Sequence, residues 1–592
     1  MNPTELERDE RASGSPESGG ARGSWWRFAG HYLEMVLAML AGMLVVGGAV
    51  GLVVDYSHAD HPTAGSLEMA FAMSVGMVAW MRYRGHGWAG TLEMTAAMCA
   101  PLVVLLPLLW AGVISGDAVM MLLHVLMLPA MLVAMLRRRD EYRAVHHGRG
   151  DRVVRVAGRA MVVVLALALL PAPVYLAGSR SYEASQYTRP EATTVAAAPP
   201  AHDPAKRTVA VVVGNEGANI ADALVSYEVL AATRAFNVYT VAPARRAVPL
   251  LGGLDLVPDL DFAELGRRLG GSAPDVTVVP AMADSEPAVT AWVRDTASRG
   301  LLLSVCTGAE VLAEAGLLDG RDATSHWYRI SGFEQDHPEV NWRRGIRYVD
   351  DGNVISTGGL LSAVDGSLRV VERLLGDEAA TAAARTIGWR HYSPGKAATL
   401  PDSKLTVGDA VLHTLNVGFR WDAPTVGVVL TNGVGEIELA AAFDPYAEHS
   451  MAARTLAVGT AAIRSRHGLT FVPRAGVAEA ADRVDRLLVP GAGAAARPDP
   501  GVAAAARRAG VPVKYLQDRP GFAFDAGLRD VASTMDVPTA RWAAKILEYP
   551  VAGVGLSGPG WPWTLLLRPL LLGLAGLVLV FGAARVVRSR RS

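Results

Sequence analysis

Polar and apolar positions divide the chain into regions of different period. Uninterrupted apolar runs at about 33–54, 66–81, 93–114, 118–136, 160–177 and 564–584 approach the length of roughly 17 to 25 residues that a helix needs to cross a bilayer. Between the fifth run and the last, the pattern changes to short β-branched stretches alternating with helical ones. Strands are expected at 208–213, 238–241, 276–280 and 301–305, and helices from about 222 and over 286–298. That alternation predicts parallel strands covered by helices on both faces. A second passage of the same kind follows. Residues 426–432 echo 209–215, Glu438 and Asp444 echo Asp222 and Glu228, and 487–490 echo 276–280, so a duplicated fold is expected.

The expected fold class is an α-helical transmembrane region plus a duplicated α/β module. The chain reads as a disordered cytoplasmic tail 1–30, a five-helix transmembrane region 31–178, a linker 179–206, a first α/β domain 207–395, a shortened second one 423–549, a C-terminal transmembrane helix 564–584 and a basic tail 585–592. Arginine orients the set. The tail 1–30 has four Arg, loop 82–90 has Arg82 and Arg84, loop 137–159 has eight Arg, and loops 55–65 and 115–117 have no Lys or Arg. Positive charge stays on the cytoplasmic side, which places both termini inside and residues 178–563 outside.

Composition adds two exclusions. The 56 basic and 57 acidic residues leave a net charge of -1, which gives no footprint for nucleic acid. The two cysteines, Cys99 and Cys306, lie far apart in regions of different character and support no disulfide framework. The mean hydropathy of +0.24 agrees with a chain partly in lipid.

Methionine recurs every fourth residue in the apolar runs: Met35, Met39 and Met43; Met73, Met77 and Met81; Met94 and Met98. This spacing sets the thioethers along one helical face. With His31, His58, His61, His86 and His124 nearby, such a face suits Cu(I), a soft ion. Adaptable packing between helices gives the same pattern and is the reading adopted, with no metal and no cofactor expected.

The chemistry-bearing segment is Ser304-Val305-Cys306-Thr307-Gly308, where an apolar strand runs straight into a helical stretch. A thiol presented at such a turn meets the positive end of the helix dipole, which favours the thiolate. An inert buried cysteine is the alternative. Together with Ala315-Gly316-Leu317-Leu318-Asp319-Gly320 and Ala323-Thr324-Ser325-His326-Trp327, the segment resembles the ThiJ/PfpI superfamily over about 207–375. The nearest branch is that of the isonitrile hydratases and of the amidase-like sensor domains of AraC-type regulators.

The resemblance implies a class I glutamine-amidotransferase-like, flavodoxin-like parallel-sheet sandwich. It implies Cys306 as nucleophile, Asp222 as the carboxylate that hydrogen-bonds the cysteine, and backbone N–H groups at Ala281, Met282 and Thr307 as an oxyanion hole. Thr307 would also orient water or substrate. His326 would either approach the thiol or pack on Trp327, and Gly358 and Gly359 would form the pocket rim. The family usually has Gly-Gly where this chain has Ala281-Met282, so a narrower pocket is expected.

Two functions follow. Either Cys306 attacks a small electrophile, as in a hydratase, amidase or glyoxalase, or the domain is a non-catalytic small-molecule or redox sensor on a membrane anchor. Aligning Gly510 with Gly300 puts Leu516, followed by Gln517, at the place of Cys306, so the second domain is expected to pair or to sense. The expected partners are a small molecule, the membrane and the other half of the tandem, with homo-oligomerisation left open and no nucleic acid.

Overall fold

The described residues of the apolar runs in the first third are largely helical, as apolar runs too long for a buried strand of about 4–8 residues are expected to be. A computed structural model of the protein describes residues 20–43, 62–110, 116–137, 163, 166–188, 198–284, 286–396, 399–401, 403–447 and 450–589. They divide into one unit of residues 1–168 with 579–592 and a second of 169–578.

In the first unit, helices α1 (Gly20–Gly42), α2 (Pro62–Tyr83), α3 (Trp88–Trp110) and α4 (Gly116–Arg137) pack together. A Cβ added to Gly42 would run into the Ala72 carbonyl, and one on Gly76 into the Ala38 carbonyl. α1 and α2 therefore meet backbone to backbone through a pair of small residues four apart on each helix. The interior is built from Met35 and Met39 of α1 and from Met69, Met73, Met77 and Met81 of α2. Met94 and Met98 of α3 and Met127, Met131 and Met135 of α4 complete it.

Among the described residues, one helix segment, Trp563–Ala583, is long and apolar enough to cross a membrane by length and composition. Residues 44–54 of the first expected span, residues 160–162, 164 and 165 of the fifth, most of the tail 1–30 and of loops 55–65 and 137–159, and the end of the basic tail lie outside the described residues. The fifth span, expected over 160–177, is corrected. A helix α5 (Pro171–Gln186) begins with proline in its first turn and runs on into the expected linker 179–206. It packs on α8 (Val407–Phe419) where Gly178 and Gly418 leave room for close approach.

The second unit is built on two parallel sheets. In the first half, β1 (Arg207–Val212), β2 (Phe236–Ala242), β5 (Leu260–Asp261), β6 (Val276–Val279), β7 (Leu301–Ser304), β8 (Tyr348–Asp351) and β9 (Val354–Thr357) form a sheet of order β8-β9-β7-β6-β1-β2-β5. Only β8 runs antiparallel to its neighbour. In the second half, β10 (Thr425–Val429), β11 (Arg454–Val458), β14 (Arg486–Val489) and β15 (Val513–Tyr515) form a parallel sheet of order β11-β10-β14-β15. This is the same succession as β2-β1-β6-β7. Strands buried on both faces explain the continuous valine and leucine runs.

Helices α6 (Ile220–Ala232) and α9 (Glu436–Ala447) pack on each other between the two sheets. Nearly every residue of both is buried, including the carboxylates Asp222 and Glu228 of α6 and Glu436, Glu438 and Asp444 of α9. The Ala221 N–H donates to the Asp444 carboxylate at 3.0 Å, and the Ile437 N–H donates to the Glu228 carboxylate at 2.5 Å. A shift of 216 residues, the separation of Asp222 and Glu438, turns the first bond into the second.

The same shift relates the small strands beside them. β3 (Val248–Leu250) and β4 (Leu254–Val257) join β12 (Ile463–Arg464) and β13 (Thr470–Val472) in a sheet of order β12-β13-β4-β3. Its central antiparallel pairs, Phe471 with Leu256 and Val472 with Asp255, exchange under the shift. Phe471, fully buried at this seam, leaves a cavity when truncated. Phe471→Ala is expected to lower the stability of the second unit by about 3–5 kcal/mol, read as a fall in urea midpoint of the full chain in detergent.

Candidate functional site

Cys306 sits between the end of β7 and α7 (Gly308–Glu314), at φ 55. This is a left-handed conformation that a non-glycine residue holds only where its surroundings enforce it. Three contacts enforce it here. The Val305 N–H donates to the Val279 carbonyl at 2.9 Å and the Cys306 N–H to the Gly358 carbonyl at 3.0 Å. The Ser325 hydroxyl donates to the Cys306 carbonyl at 2.7 Å. Gly308 lies so close to the Val279 and Pro280 carbonyls that a Cβ would collide with both, which pins the start of α7 against β6.

Asp222 is fully buried in the first turn of α6. The Asn219 side chain caps this turn by accepting the Asp222 N–H at 3.1 Å. The Asp222 carboxylate accepts the Ala281 N–H at 3.1 Å. That bond corrects one expectation: the Ala281 N–H is spent on Asp222 and is not held ready for an oxyanion, because the turn after Pro280 docks on α6. Met282 is half-buried and forms a bridge with Ala218. The N–H of Thr307, directly after the thiol, has no protein acceptor among the described residues.

His326 is buried, with its Nε2 2.9 Å from the Ile546 carbonyl and its ring 5.6 Å from Trp327. Its ring occupies the space a Cβ on Gly359 would need, so it packs on Trp327, Gly359 and the second half. Gly358 and Gly359 are also corrected. Both are buried beneath the elbow, and Gly358 carries the carbonyl that receives the Cys306 N–H, so neither forms an open rim. Cys306 itself is 7% exposed. It lines neither the cavity of about 380 Å³ between Ser325, Arg347 and Glu548 nor that of about 1130 Å³ in the second half.

The second half is corrected by one residue. Val279 pairs with Ser304 and Val489 with Tyr515, and the next N–H groups, of Val305 and Leu516, reach the Val279 and Val489 carbonyls. Gln517, rather than Leu516, therefore stands where Cys306 does. Its Oε1 accepts the Gly491 N–H at 2.7 Å, while Glu438, in the place of Asp222, accepts the Ala492 N–H at 2.7 Å. A thiol is absent there, as the alignment already implied.

Glu548 escaped the sequence reading. It lies in the second half at φ 51, and its carboxylate receives the Ser362 hydroxyl at 2.5 Å and the Gly359 N–H. It thus buttresses the glycine loop under Cys306 from outside the first half, and no local motif could have pointed to it. Burial pushes its pKa up to about 7, against the lowering effect of the Ser362 and Gly359 hydrogen bonds.

A third cluster brings Glu228, Glu436 and His467 donor atoms within 4.8 Å of one another, close enough for a metal ion. Hydrogen bonds already occupy those atoms: Glu436 binds His467 Nδ1 at 2.8 Å, and Arg466 reaches Glu228 at 3.0 Å. The arrangement is a buried ion-pair network. Burial first, and then the neighbouring Glu436, push Glu228 up to about 7.

The DJ-1/PfpI family profile matches residues 207–373. The HTH-type transcriptional regulator CdhR of Pseudomonas aeruginosa is 37% identical over 95 residues, 16% of this chain and 28% of its own length. The isonitrile hydratase of Pseudomonas putida is 30% identical over 164 residues, 26% of this chain and 66% of its own. A DJ-1 superfamily protein from Salmonella typhimurium, solved as a cysteine-to-alanine mutant, is 28% identical and covers 31% of this chain and 99% of its own, with a TM-score of 0.28. The chain thus spans between about a quarter and two thirds of the length of these curated relatives.

Because the folded Glu548 keeps a proton that an ordinary carboxyl releases near 4.5, its contribution to stability is present below about pH 4.5 and lost as pH rises through about 7. The full chain is expected to lose melting temperature between pH 5 and pH 8, and Glu548→Gln to lose less, by thermal melts across that range. Residues 207–373 are a DJ-1/PfpI domain of flavodoxin-like α/β fold with a parallel sheet.

Proposed function

We propose that the chain is a membrane-anchored, outward-facing protein in which Cys306 is a nucleophile toward a small electrophile, in the manner of a hydratase, amidase or glyoxalase. The observation that carries this reading is the strained φ of Cys306 at a strand-to-helix turn, a conformation that costs about 1–3 kcal/mol and is kept where it presents a reactive group. In the proposed step the thiolate attacks the multiply bonded carbon, the displaced π pair gathers where the Thr307 N–H faces it, Asp222 delivers the thiol proton to the adduct, and water then cleaves the C–S bond to release product and thiol. The narrow surroundings, with Ala281-Met282 after β6, favour a substrate of few heavy atoms. The name of the Pseudomonas putida relative, an isonitrile hydratase, suggests one such class.

The anchoring reading rests on Trp563–Ala583, on the arginine asymmetry of the loops and on the small-residue contact of α1 with α2. The shared strand succession and the contacts that exchange under a shift of 216 residues support a duplication, with the two copies paired as identical subunits pair about a twofold axis.

A second reading, a non-catalytic sensor, is favoured by the cavity of about 1130 Å³ in the second half. It opens at the carboxyl ends of β10, β11, β14 and β15, where ligands bind in open α/β sheets. Arg466, Arg497, Arg508 and Tyr515 line it alongside the carboxylates of Glu438 and Asp499, so cations are in excess, and the enclosed Tyr515 hydroxyl has no hydrogen-bond partner among the described residues. Such a lining suits an organic anion. The regulator relatives agree with this alternative.

Two measurements on the full chain in detergent separate the readings. For the enzyme, Cys306 is expected to alkylate with a pH–rate profile that moves in Asp222→Asn, and turnover of a small isonitrile or aldehyde is expected to vanish in Cys306→Ala. A thiol that iodoacetamide does not reach would sink this reading. For the sensor, citrate is expected to raise the melting temperature, and the Arg497→Gln, Arg508→Gln double variant to lose most of that rise while Cys306→Ala keeps it.

A further inference from the structure

The helices of the first unit sort two kinds of apolar side chain. Eleven of the seventeen buried residues in their common core are methionines. The exposed large apolar residues of the same helices are Leu, Val, Phe, Trp and Tyr, among them Leu33, Phe71, Leu92, Val103 and Val133, and no described methionine is among them. Hydrophobicity does not produce this division, because the outward faces are apolar as well, and Leu and Met differ little in size or in the energy of burial. What distinguishes the interior is the thioether sulfur.

The methionines also recur at one-turn spacing along the helices. On α2 they recur at Met69, Met73, Met77 and Met81, and on α4 at Met127, Met131 and Met135, one turn apart. On α1, Met35 and Met39 continue one turn at a time from His31, and His31 Nε2 lies 3.1 Å from His86 Nε2, just beyond the end of α2. Both imidazoles are largely enclosed. An imidazole pair stands beside the start of this methionine series, with Glu34 3.6 Å from His31 and itself paired with Arg84 at 2.5 Å. Soft sulfur ligands with imidazole select monovalent d¹⁰ ions over the hard cations of the cell, and a row of neutral donors lets such an ion be held without a buried carboxylate.

We infer that the interior of the α1–α4 bundle is a binding column for a soft monovalent cation, Cu(I) or its analogue Ag(I), entered at the His31–His86 pair. The ion exchanges its ligands for imidazole nitrogen and then thioether sulfur, with no change of oxidation state. This column is separate from the Cys306 chemistry and does not depend on it.

The test uses the full chain in detergent with Ag(I) as a redox-inert probe, in a Cys99→Ser, Cys306→Ser background so that no thiol contributes. After gel filtration, elemental analysis is expected to find silver retained by this background. Replacing Met77, Met98 and Met131 by Leu, a swap that nearly conserves volume, is expected to weaken binding about tenfold or more with helix content by circular dichroism unchanged. His31→Gln with His86→Gln is expected to slow loading, and it serves as the deciding variant if the triple methionine variant does not fold. No retained silver in the thiol-free chain, or retention that neither variant diminishes, overturns the proposal.

Discussion

Two buried backbone-to-carboxylate hydrogen bonds join the two halves of the second unit at the α6–α9 contact. The first turn of α6 gives an N–H to Asp444, and the first turn of α9 gives one to Glu228. Each helix start would otherwise leave amides unsatisfied in an interior without water. Each carboxylate would be costly there without a donor. Because each half supplies what the other lacks, the halves are matched at the one place where α6 also carries Asp222. The position of the elbow carboxylate is therefore set by a contact with the second half, 223 residues away along the chain.

The same dependence recurs on the far side of Cys306. The loop that receives its N–H is packed from beneath by Glu548 and by the His326 ring, and that ring is tied to the Ile546 carbonyl. Both anchor points come from α10 (Val537–Ile546) and the turn after it. The second half, which has Gln517 where a nucleophile would stand, shapes the first through side chains and carbonyls that touch the elbow's supports. A substitution there can reach Cys306 without altering any residue of 207–373.

The sorting of methionine from leucine in the first unit follows another physical rule. In a soluble core, burial alone explains why apolar residues lie inside. Where both faces of a helix are apolar, burial has no preference, and what remains to sort side chains is shape, flexibility and the chemistry of the heavy atoms. The contact of Gly42 with Gly76 likewise depends on shape, since only small residues there let the backbones of α1 and α2 come so close.

The strand–helix alternation, the parallel sheet and the elbow at Cys306 were legible in the sequence, because each depends on local period and on a turn whose residues are adjacent. The succession of similar segments at 209–215 and 426–432 was legible for the same reason. What the sequence left open was decided by packing between distant segments. Leu516 gave way to Gln517 at the elbow place because strand pairing sets register and a one-residue slip is invisible to alignment by eye. The Ala281 N–H went to Asp222, and Gly358 and Gly359 became floor instead of rim, because a backbone group bonds to whatever the fold brings near it. Local pattern determines which elements form and where a nucleophile can be presented; only the tertiary structure determines which donors remain for chemistry, since that follows from contacts hundreds of residues apart.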